Sequence, residues 1–124
     1  MLDASLEAFL ALPAVTEVVV AVPAGFVDAV RPSARVRVVE GGARRQDSMA
    51  RAFAEVSHDA DVVLVHDAAR PYVTARVIMD TAEAAARYGA AIAAVPVRDT
   101  VKRITAGEAG AVVRESIPRE EIVL

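Results

Sequence analysis

Apolar and polar positions along the chain change repeatedly from a helical to an extended period, which predicts alternating helices and strands. A helix is predicted at the N-terminus, where Leu2, Leu6, Phe9 and Leu10 share one face before Pro13 ends the run. Residues 18–22 are continuously apolar, which is typical of a strand that helices cover on both faces. This order of elements is that of an α/β protein with a parallel sheet.

The remaining segments continue the same alternation. The pattern predicts a short helix over residues 24–30, a strand over 36–39, a helix over 44–56, a strand over 61–65, a helix over 75–88 and a strand over 90–97. Thr74 precedes the last helix as a capping residue, and Gly89 follows it where a left-handed residue is favoured. Two extended runs, residues 100–104 and 111–117, are separated by a polar segment with two glycines and predict a β-hairpin.

These elements together predict one α/β domain over residues 1–124. Its sheet is expected to be Rossmann-like and mostly parallel, with a projecting β-hairpin arm over residues 99–118. The chain opens on a helix where such folds normally open on a strand, and residues 118–124 resemble the start of another element. We therefore expect the fold to be incomplete at both ends.

Composition excludes several classes of function. The chain has 124 residues, 55% of them apolar, and a net charge of −3, which argues against disorder and against broad binding to nucleic acids or membranes. It contains no cysteine and only two histidines, so a bound metal is expected to be a hard cation held by oxygen. No apolar run approaches the length of a membrane span, and no basic leader is present, so we predict a cytoplasmic protein.

The first candidate site lies in the turn after residues 36–39, because ligands of parallel sheets bind beyond the carboxyl ends of strands. Gly41 and Gly42 permit a ligand to approach the backbone closely, and the helix that follows offers its positive end to an anion or a polar heterocycle. The alternative is a tight strand-to-helix turn with exposed arginines, since two glycines alone are weak evidence.

The second candidate site follows the hydrophobic segment 61–65. Asp67 offers a carboxylate for a ribose hydroxyl or a divalent cation, and Ala68 and Ala69 leave room for a ligand against the backbone. Arg70 can bind a phosphate group. The alternative is that Asp67 and Arg70 pair across a turn while His66 is a hydrogen-bonded residue at the boundary of the core.

The third candidate site is the segment that leaves the predicted sheet for the hairpin. Thr100 can hydrogen-bond a phosphate, and Arg98, Lys102 and Arg103 bring positive charge to an acidic chain. The alternative is a solvated strand with alternating charges.

These three segments, in this order and at this spacing, resemble the 2-C-methyl-D-erythritol 4-phosphate cytidylyltransferase family of the non-mevalonate isoprenoid pathway. The matching motifs are Gly41-Gly42 with Arg45-Gln46-x-Ser48, Val65-His66-Asp67-Ala68-Ala69-Arg70-Pro71, Pro96-Val97-Arg98-Asp99-Thr100-Val101-Lys102 and Glu115-Ser116-Ile117-Pro118-Arg119. The resemblance covers nearly the entire chain.

The resemblance implies a Mg²⁺-dependent transferase in which the phosphate of methylerythritol phosphate attacks the α-phosphorus of CTP and releases pyrophosphate. It implies nucleotide binding by Gly41, Gly42, Ser48, Asp67 and Ala68, substrate binding by Arg70, Thr100 and Arg119, catalytic roles for Asp67 and Arg70, and a metal ligand in Asp67. It also implies a homodimer that forms through the hairpin arm, so that Arg119 acts in the partner's site.

Family members also carry groups that this chain lacks. A glycine-rich loop with an arginine and a lysine precedes the point matching Met1, and a second catalytic lysine follows the point matching Leu124. The only lysine here is Lys102. We therefore expect the chain alone to be inactive and its full-length parent to be active. The alternatives are a transferase for another CDP-polyol or a nucleotide sugar, and a catalytically inactive fragment that dimerises.

Overall fold

The computed structural model describes residues 1–107 and 110–124, which divide into two compact units, Met1–Ala91 and Ile92–Leu124. Glu108 and Ala109, which the sequence places in the loop of the hairpin, lie outside the described residues. The predicted α/β class, with a parallel sheet and an antiparallel hairpin, is confirmed. No helix within the described ranges is long and apolar enough to cross a membrane.

The first unit contains α1 (Leu2–Leu10), β1 (Val18–Val22), β2 (Val36–Glu40), α2 (Arg45–Ala54) and α3 (Ala75–Tyr88). β1 and β2 pair in parallel, with Val22 opposite Glu40 at their last residues. Both strands therefore end at the same edge of the sheet. The chain leaves β2 at this edge, passes through Gly41 and Gly42 and enters α2.

Val20, Val22 and Val36 form a buried cluster in the first unit, and Ile78 of α3 is buried as well. The partly buried apolar side chains packed against this cluster are Leu2, Leu6, Leu10, Val18, Val27, Val30 and Val38. Leu2, Leu6 and Leu10 of the face predicted for α1 therefore pack on this cluster, whereas Phe9 lies against His66. Each fully buried valine contributes about 1.5–3 kcal/mol relative to an exposed one.

The ends of α3 follow the sequence prediction. The Thr74 hydroxyl oxygen accepts a hydrogen bond from the N–H of Val77 at 3.3 Å and so caps the first turn. Gly89 ends the helix with φ +86°, in the left-handed region that glycine adopts without strain.

The short helix predicted over residues 24–30 is wrong for most of its length. Only Val27–Ala29 is helical, and it forms a single 3-10 turn. Gly25 has φ +80°, which is incompatible with a right-handed helix, so the chain cannot begin a helix at this point.

The strand predicted over residues 61–65 is also wrong, since this segment forms no β-pair with any residue of the described ranges. Residues 62–65 instead line a cavity of about 790 Å³. Every residue of 18–21 and of 62–65 lines it. Side chains of consecutive residues in an extended chain point to opposite faces. Residues of both segments therefore border the same cavity, and no β-pair joins them within the described ranges.

The second unit contains little of the strand predicted over residues 90–97. Val95 exchanges two backbone hydrogen bonds with Leu124, at 2.8 and 2.9 Å, and Pro96 forms an isolated bridge with Val123. The ladder does not continue along this segment, in keeping with the missing N–H of proline.

The hairpin of the second unit is confirmed and is longer than predicted. It consists of β3 (Val101–Gly107) and β4 (Gly110–Ile117), paired antiparallel with Val101 opposite Ile117. The register shifts by one residue after Arg103. The sequence pattern missed the last residues of β3 because Thr, Ala and Gly do not alternate in hydrophobicity.

Candidate functional site

Hydrogen bonds hold two successive peptide units of the glycine turn after β2, each at its N–H and at its carbonyl oxygen. The N–H of Gly41 donates to the carbonyl oxygen of Val22 at 2.7 Å, and the N–H of Gly42 donates to the hydroxyl oxygen of Ser48 at 3.0 Å. On the opposite side, Arg51 Nη1 donates to the carbonyl oxygens of Glu40 at 3.2 Å and Gly41 at 2.9 Å. The turn is therefore fixed in one orientation by β1 and α2.

Close packing explains why glycine occupies both positions. A Cβ atom at Gly42 would lie 2.3 Å from the Cβ of Asp47, and one at Gly41 would lie 2.8 Å from Ser48 Oγ and 3.2 Å from the carbonyl oxygen of Val22. Contacts under 3.0 Å do not occur without displacement of a neighbour. The glycines thus serve the turn itself, as the alternative interpretation expected, and this packing is compatible with ligand binding at the same place.

An arginine–aspartate pair closes the first turn of α2. The carboxylate of Asp47 accepts hydrogen bonds from Arg44 Nε at 3.0 Å, Arg44 Nη2 at 2.9 Å and the backbone N–H of Arg44 at 3.2 Å. The Arg44 guanidinium holds the pKa of Asp47 below its ordinary value, and the Asp47 carboxylate raises the pKa of Arg44. The carboxylate at the start of α2 also complements the helix dipole.

The second candidate segment forms a tight turn that starts at Asp67. Asp67 Oδ1 accepts from the N–H of Ala69 at 3.1 Å, and the carbonyl oxygen of Asp67 accepts from the N–H of Arg70 at 2.9 Å. The side chains of Asp67 and Arg70 form no ion pair with each other or with another described residue. The turn that the alternative interpretation expected is present, whereas its ion pair is not.

Helix α1 holds this second turn from the side of the core. Ser5 is buried and its hydroxyl donates to the carbonyl oxygen of Ala68 at 3.5 Å, while the ring of Phe9 lies 5.0 Å from the ring of His66. His66 Nε2 is buried and has no hydrogen-bond partner in the part of the chain that the structure describes. The expectation of a fully hydrogen-bonded His66 is therefore wrong for this nitrogen.

The first two candidate segments meet at one cavity. The space of about 790 Å³ that borders residues 62–65 is lined by Ser48 from the first segment and by Asp67 and Ala68 from the second. Gly41, Gly42 and Arg70 are not among the residues that line it. Ser48, Asp67 and Ala68 therefore border one cavity within the first unit.

The third candidate segment belongs to the second unit. Arg119 Nη1 donates to the carbonyl oxygen of Arg98 at 3.3 Å, so Arg119 lies beside the segment that carries Thr100. The Arg119 guanidinium also lies 3.9 Å from the Glu120 carboxylate. Thr100 and Arg119 thus lie in neighbouring segments of the second unit. The resemblance implies substrate binding for both residues.

The sequence interpretation missed Arg51. A signal was available, because Arg44, Ser48 and Arg51 are spaced by four and three residues and so share one face of α2. An exposed arginine on a helix is too common for this spacing to single it out.

A magnesium ion at this site would need ligands in addition to the side chains of the described residues. No cluster of three histidine or carboxylate side chains occurs within residues 1–107 and 110–124. Asp67 contributes one carboxylate, of which only Oδ1 carries a hydrogen bond from a described residue. Mg²⁺ is commonly held by one or two carboxylates together with substrate phosphates and water, so a single aspartate beside a triphosphate suits it.

Comparison with known proteins agrees with these motifs. The family model for IspD, 2-C-methyl-D-erythritol 4-phosphate cytidylyltransferase, matches residues 1–123. The chain belongs to this family. The cytidylyltransferase of Acidobacterium capsulatum is 45% identical over 127 aligned positions, which cover 96% of this chain and 53% of the relative. That of Solibacter usitatus is 42% identical over 123 positions, which cover 94% of this chain and 50% of the relative.

A solved structure of the same family confirms the fold. The crystal structure of 2-C-methyl-D-erythritol 4-phosphate cytidylyltransferase from Thermus thermophilus superposes with a TM-score of 0.74 at 36% identity. The match covers 99% of this chain and 55% of that structure. The chain thus spans about half the length of the relatives it matches.

Proposed function

We propose that the full-length protein containing this chain transfers CMP from CTP to 2-C-methyl-D-erythritol 4-phosphate. An oxygen of the acceptor phosphate attacks the α-phosphorus of CTP, a new P–O bond forms, and the bond to the β-phosphate breaks to release pyrophosphate. The observation that carries this proposal is that Ser48 and Asp67, from two family motifs, line one cavity in a chain whose family match spans residues 1–123.

The nucleotide is assigned to the turn that starts at Asp67, which lines this cavity, and to the glycine turn, which Ser48 joins to the cavity surface. Gly41 and Gly42 shape the first turn, and Ser48 fixes it while lying at the cavity surface. The start of α2 presents backbone N–H groups and the positive end of a helix dipole, which suit the polar edge of cytosine and the ribose hydroxyls. Ala68 lets the nucleotide lie close to the backbone of the second turn.

The acceptor phosphate is assigned to cationic and hydroxyl groups. Arg70 forms no ion pair with any residue of the described ranges, so its guanidinium is available for a phosphate. On the second unit, Thr100 and Arg119 are assigned to methylerythritol phosphate by the family motifs alone, with Arg119 acting in the site of the partner copy. Such groups catalyse phosphoryl transfer by positioning the reactants and neutralising charge, without a covalent intermediate on the protein.

Asp67 is proposed to hold Mg²⁺ together with the triphosphate. When bound, the ion would neutralise negative charge on the phosphates. The Asp67 turn itself orients the carboxylate, because Oδ1 accepts the Ala69 N–H and the turn is closed by the N–H of Arg70.

The hairpin is proposed as the dimerisation arm of the full-length enzyme. Ile104 and Val113 face each other across β3 and β4 and are 59% and 57% exposed. An apolar cross-strand pair exposed on a hairpin is a suitable contact for a second copy. We place the enzyme in the cytoplasm, where its nucleotide substrate is made.

A chimeric enzyme tests the proposed function. Residues 1–123 replace the matching segment of the Acidobacterium capsulatum relative, and pyrophosphate release is measured with CTP, methylerythritol phosphate and Mg²⁺. The account predicts turnover with CTP and little with ATP, GTP or UTP. The isolated 124-residue chain, assayed beside it, is predicted to be inactive.

Two further substrates distinguish the alternatives. Turnover with ribitol phosphate in preference to methylerythritol phosphate would indicate a different CDP-polyol transferase. No turnover of a folded chimera with any acceptor would contradict the proposal and favour a dimerising module without catalysis. The dimerisation arm is tested by sedimentation, which measures the oligomeric state of the chimera. The variant Ile104→Lys is compared with Arg76→Ala, which is a surface control.

A further inference from the structure

Arg51 contacts the glycine turn from α2 and belongs to none of the family motifs quoted above. It lies on the last turn of α2, and its guanidinium reaches back to the carbonyl oxygens of Glu40 at 3.2 Å and Gly41 at 2.9 Å. Its Nη1 also lies 3.5 Å from the Glu40 carboxylate. One side chain therefore contacts two consecutive carbonyl groups at the point where β2 ends.

The peptide group between Gly41 and Gly42 is held from both sides by α2. Its carbonyl oxygen accepts from Arg51, and its N–H donates to Ser48 Oγ. The preceding peptide group is held in the same manner, with its carbonyl oxygen on Arg51 and its N–H on the carbonyl oxygen of Val22. Because the atoms of a peptide unit lie in one plane, these four contacts fix the rotation of both units.

Glycine makes this restraint necessary. Gly41 and Gly42 have no side chain to limit their backbone angles, so a free turn would sample many orientations. The N–H groups at the start of α2 can meet a nucleotide in one geometry only if the turn before them is ordered, and ordering it during binding would reduce affinity. A restraint present before binding avoids that loss.

We propose that Arg51 is a positioning residue that holds the Gly41–Gly42 turn in the form that binds the cytidine half of CTP. The identity of the ligand in this inference rests on the proposed function. The restraint rests on the hydrogen bonds that Arg51 donates to the turn. Arg51 touches no reacting atom in this account. Its effect should therefore appear in nucleotide affinity and leave the chemical step unchanged.

Two variants and a matched control test the restraint in the 124-residue chain. Amide hydrogen exchange of Gly41 and Gly42 is followed by NMR in the wild type, Arg51→Ala, Arg51→Lys and the control Arg76→Ala. Arg76 is also an exposed helical arginine, but it pairs only with Asp80 on α3 among the described residues. Loss of a hydrogen bond to a turn carbonyl should speed exchange of the Gly42 amide about two- to tenfold in Arg51→Ala, with an intermediate value for lysine.

The same variants in the chimeric enzyme test the consequence for CTP. Arg51→Ala should raise KM for CTP about two- to tenfold and leave kcat and KM for methylerythritol phosphate unchanged, and Arg51→Lys should recover part of the loss. A general loss of folding would instead lower the melting temperature and affect both substrates.

The outcomes separate this inference from the proposed function. Wild-type exchange of the Gly42 amide in Arg51→Ala would overturn the restraint, and faster exchange with an unchanged KM for CTP would overturn its role in nucleotide binding. A chimera that transfers no CMP in its wild-type form would refute the proposed function and with it the nucleotide role, while the exchange result would still decide whether Arg51 holds the turn.

Discussion

The N–H of Gly42 donates a hydrogen bond to the side-chain oxygen of Ser48 at 3.0 Å, across the start of α2. The same hydroxyl lies 3.3 Å from the carbonyl oxygen of Arg44 and 3.4 Å from that of Gly42, so it can donate as well as accept. Ser48 also lines the cavity that reaches Asp67. One hydroxyl thus links the shape of the glycine turn to the surface where the nucleotide is proposed to bind.

Replacement of Ser48 by alanine should loosen the turn. The variant leaves the Gly42 N–H without its acceptor, and loss of this bond should lower the free energy of unfolding by about 1 kcal/mol. Urea unfolding of the chain measures the difference. Ser33→Ala is the control, because the Ser33 side chain is exposed and its hydroxyl bonds to no described residue. Equal stability of Ser48→Ala and the wild type would contradict the contact.

Replacement of Gly42 by alanine should be more damaging than replacement of Gly25. A methyl group at Gly42 would lie 2.3 Å from the Asp47 Cβ, so the start of α2 must move, and such overpacking costs about 1–3 kcal/mol. At Gly25 the space is open and only the positive φ opposes a side chain. Thermal unfolding of the two variants gives the order. A smaller loss for Gly42→Ala than for Gly25→Ala would show that the turn is less tightly packed than described.

The Arg44–Asp47 pair should make stability depend on pH at the acidic end. Because Arg44 lowers the pKa of Asp47 in the folded state, this contribution is complete above the unfolded value of about 3.9 and is lost as the pH falls through the lower folded value. Asp47→Asn removes the titration. The stability difference between wild type and variant should be constant near neutral pH and shrink below about pH 4. A difference that stays constant down to the acid transition would refute the assignment.

Local features of the fold could be predicted from the sequence because their causes are local. Thr74 and Gly89 mark the two ends of α3 through contacts within one turn. The run of β-branched residues in β1 favours a strand whatever its tertiary neighbours are. The family motifs likewise identified Ser48 and Asp67, which the structure brings to one cavity.

Other features depend on partners that are distant in sequence. Residues 62–65 have the composition of a strand, but pairing also needs a neighbour at hydrogen-bonding distance, and these residues line a cavity and form no β-pair with a described residue. The contact of Arg51 with the turn depends on the angle at which α2 packs, which its own sequence does not specify.

Hydrogen exchange should distinguish the unpaired segment from the sheet. The amides that pair β1 with β2 are predicted to exchange slowly, whereas those of residues 62–65 lack a backbone partner among the described residues and should exchange faster. NMR exchange rates on the chain provide the comparison. Equal protection of both segments would mean that residues 62–65 are hydrogen-bonded in solution.

The most direct test of the account is the kcat of the chimeric enzyme with Asp67→Asn, measured beside Asp61→Asn as a control. The substitution keeps the shape of the side chain and removes the charge proposed to hold Mg²⁺ near the triphosphate, so kcat should fall about 10²–10³-fold while the melting temperature is unchanged. Asp61 is exposed and lies before the cavity-lining segment, so its variant should retain full turnover. An Asp67→Asn enzyme as fast as the wild type would contradict the assignment of this site.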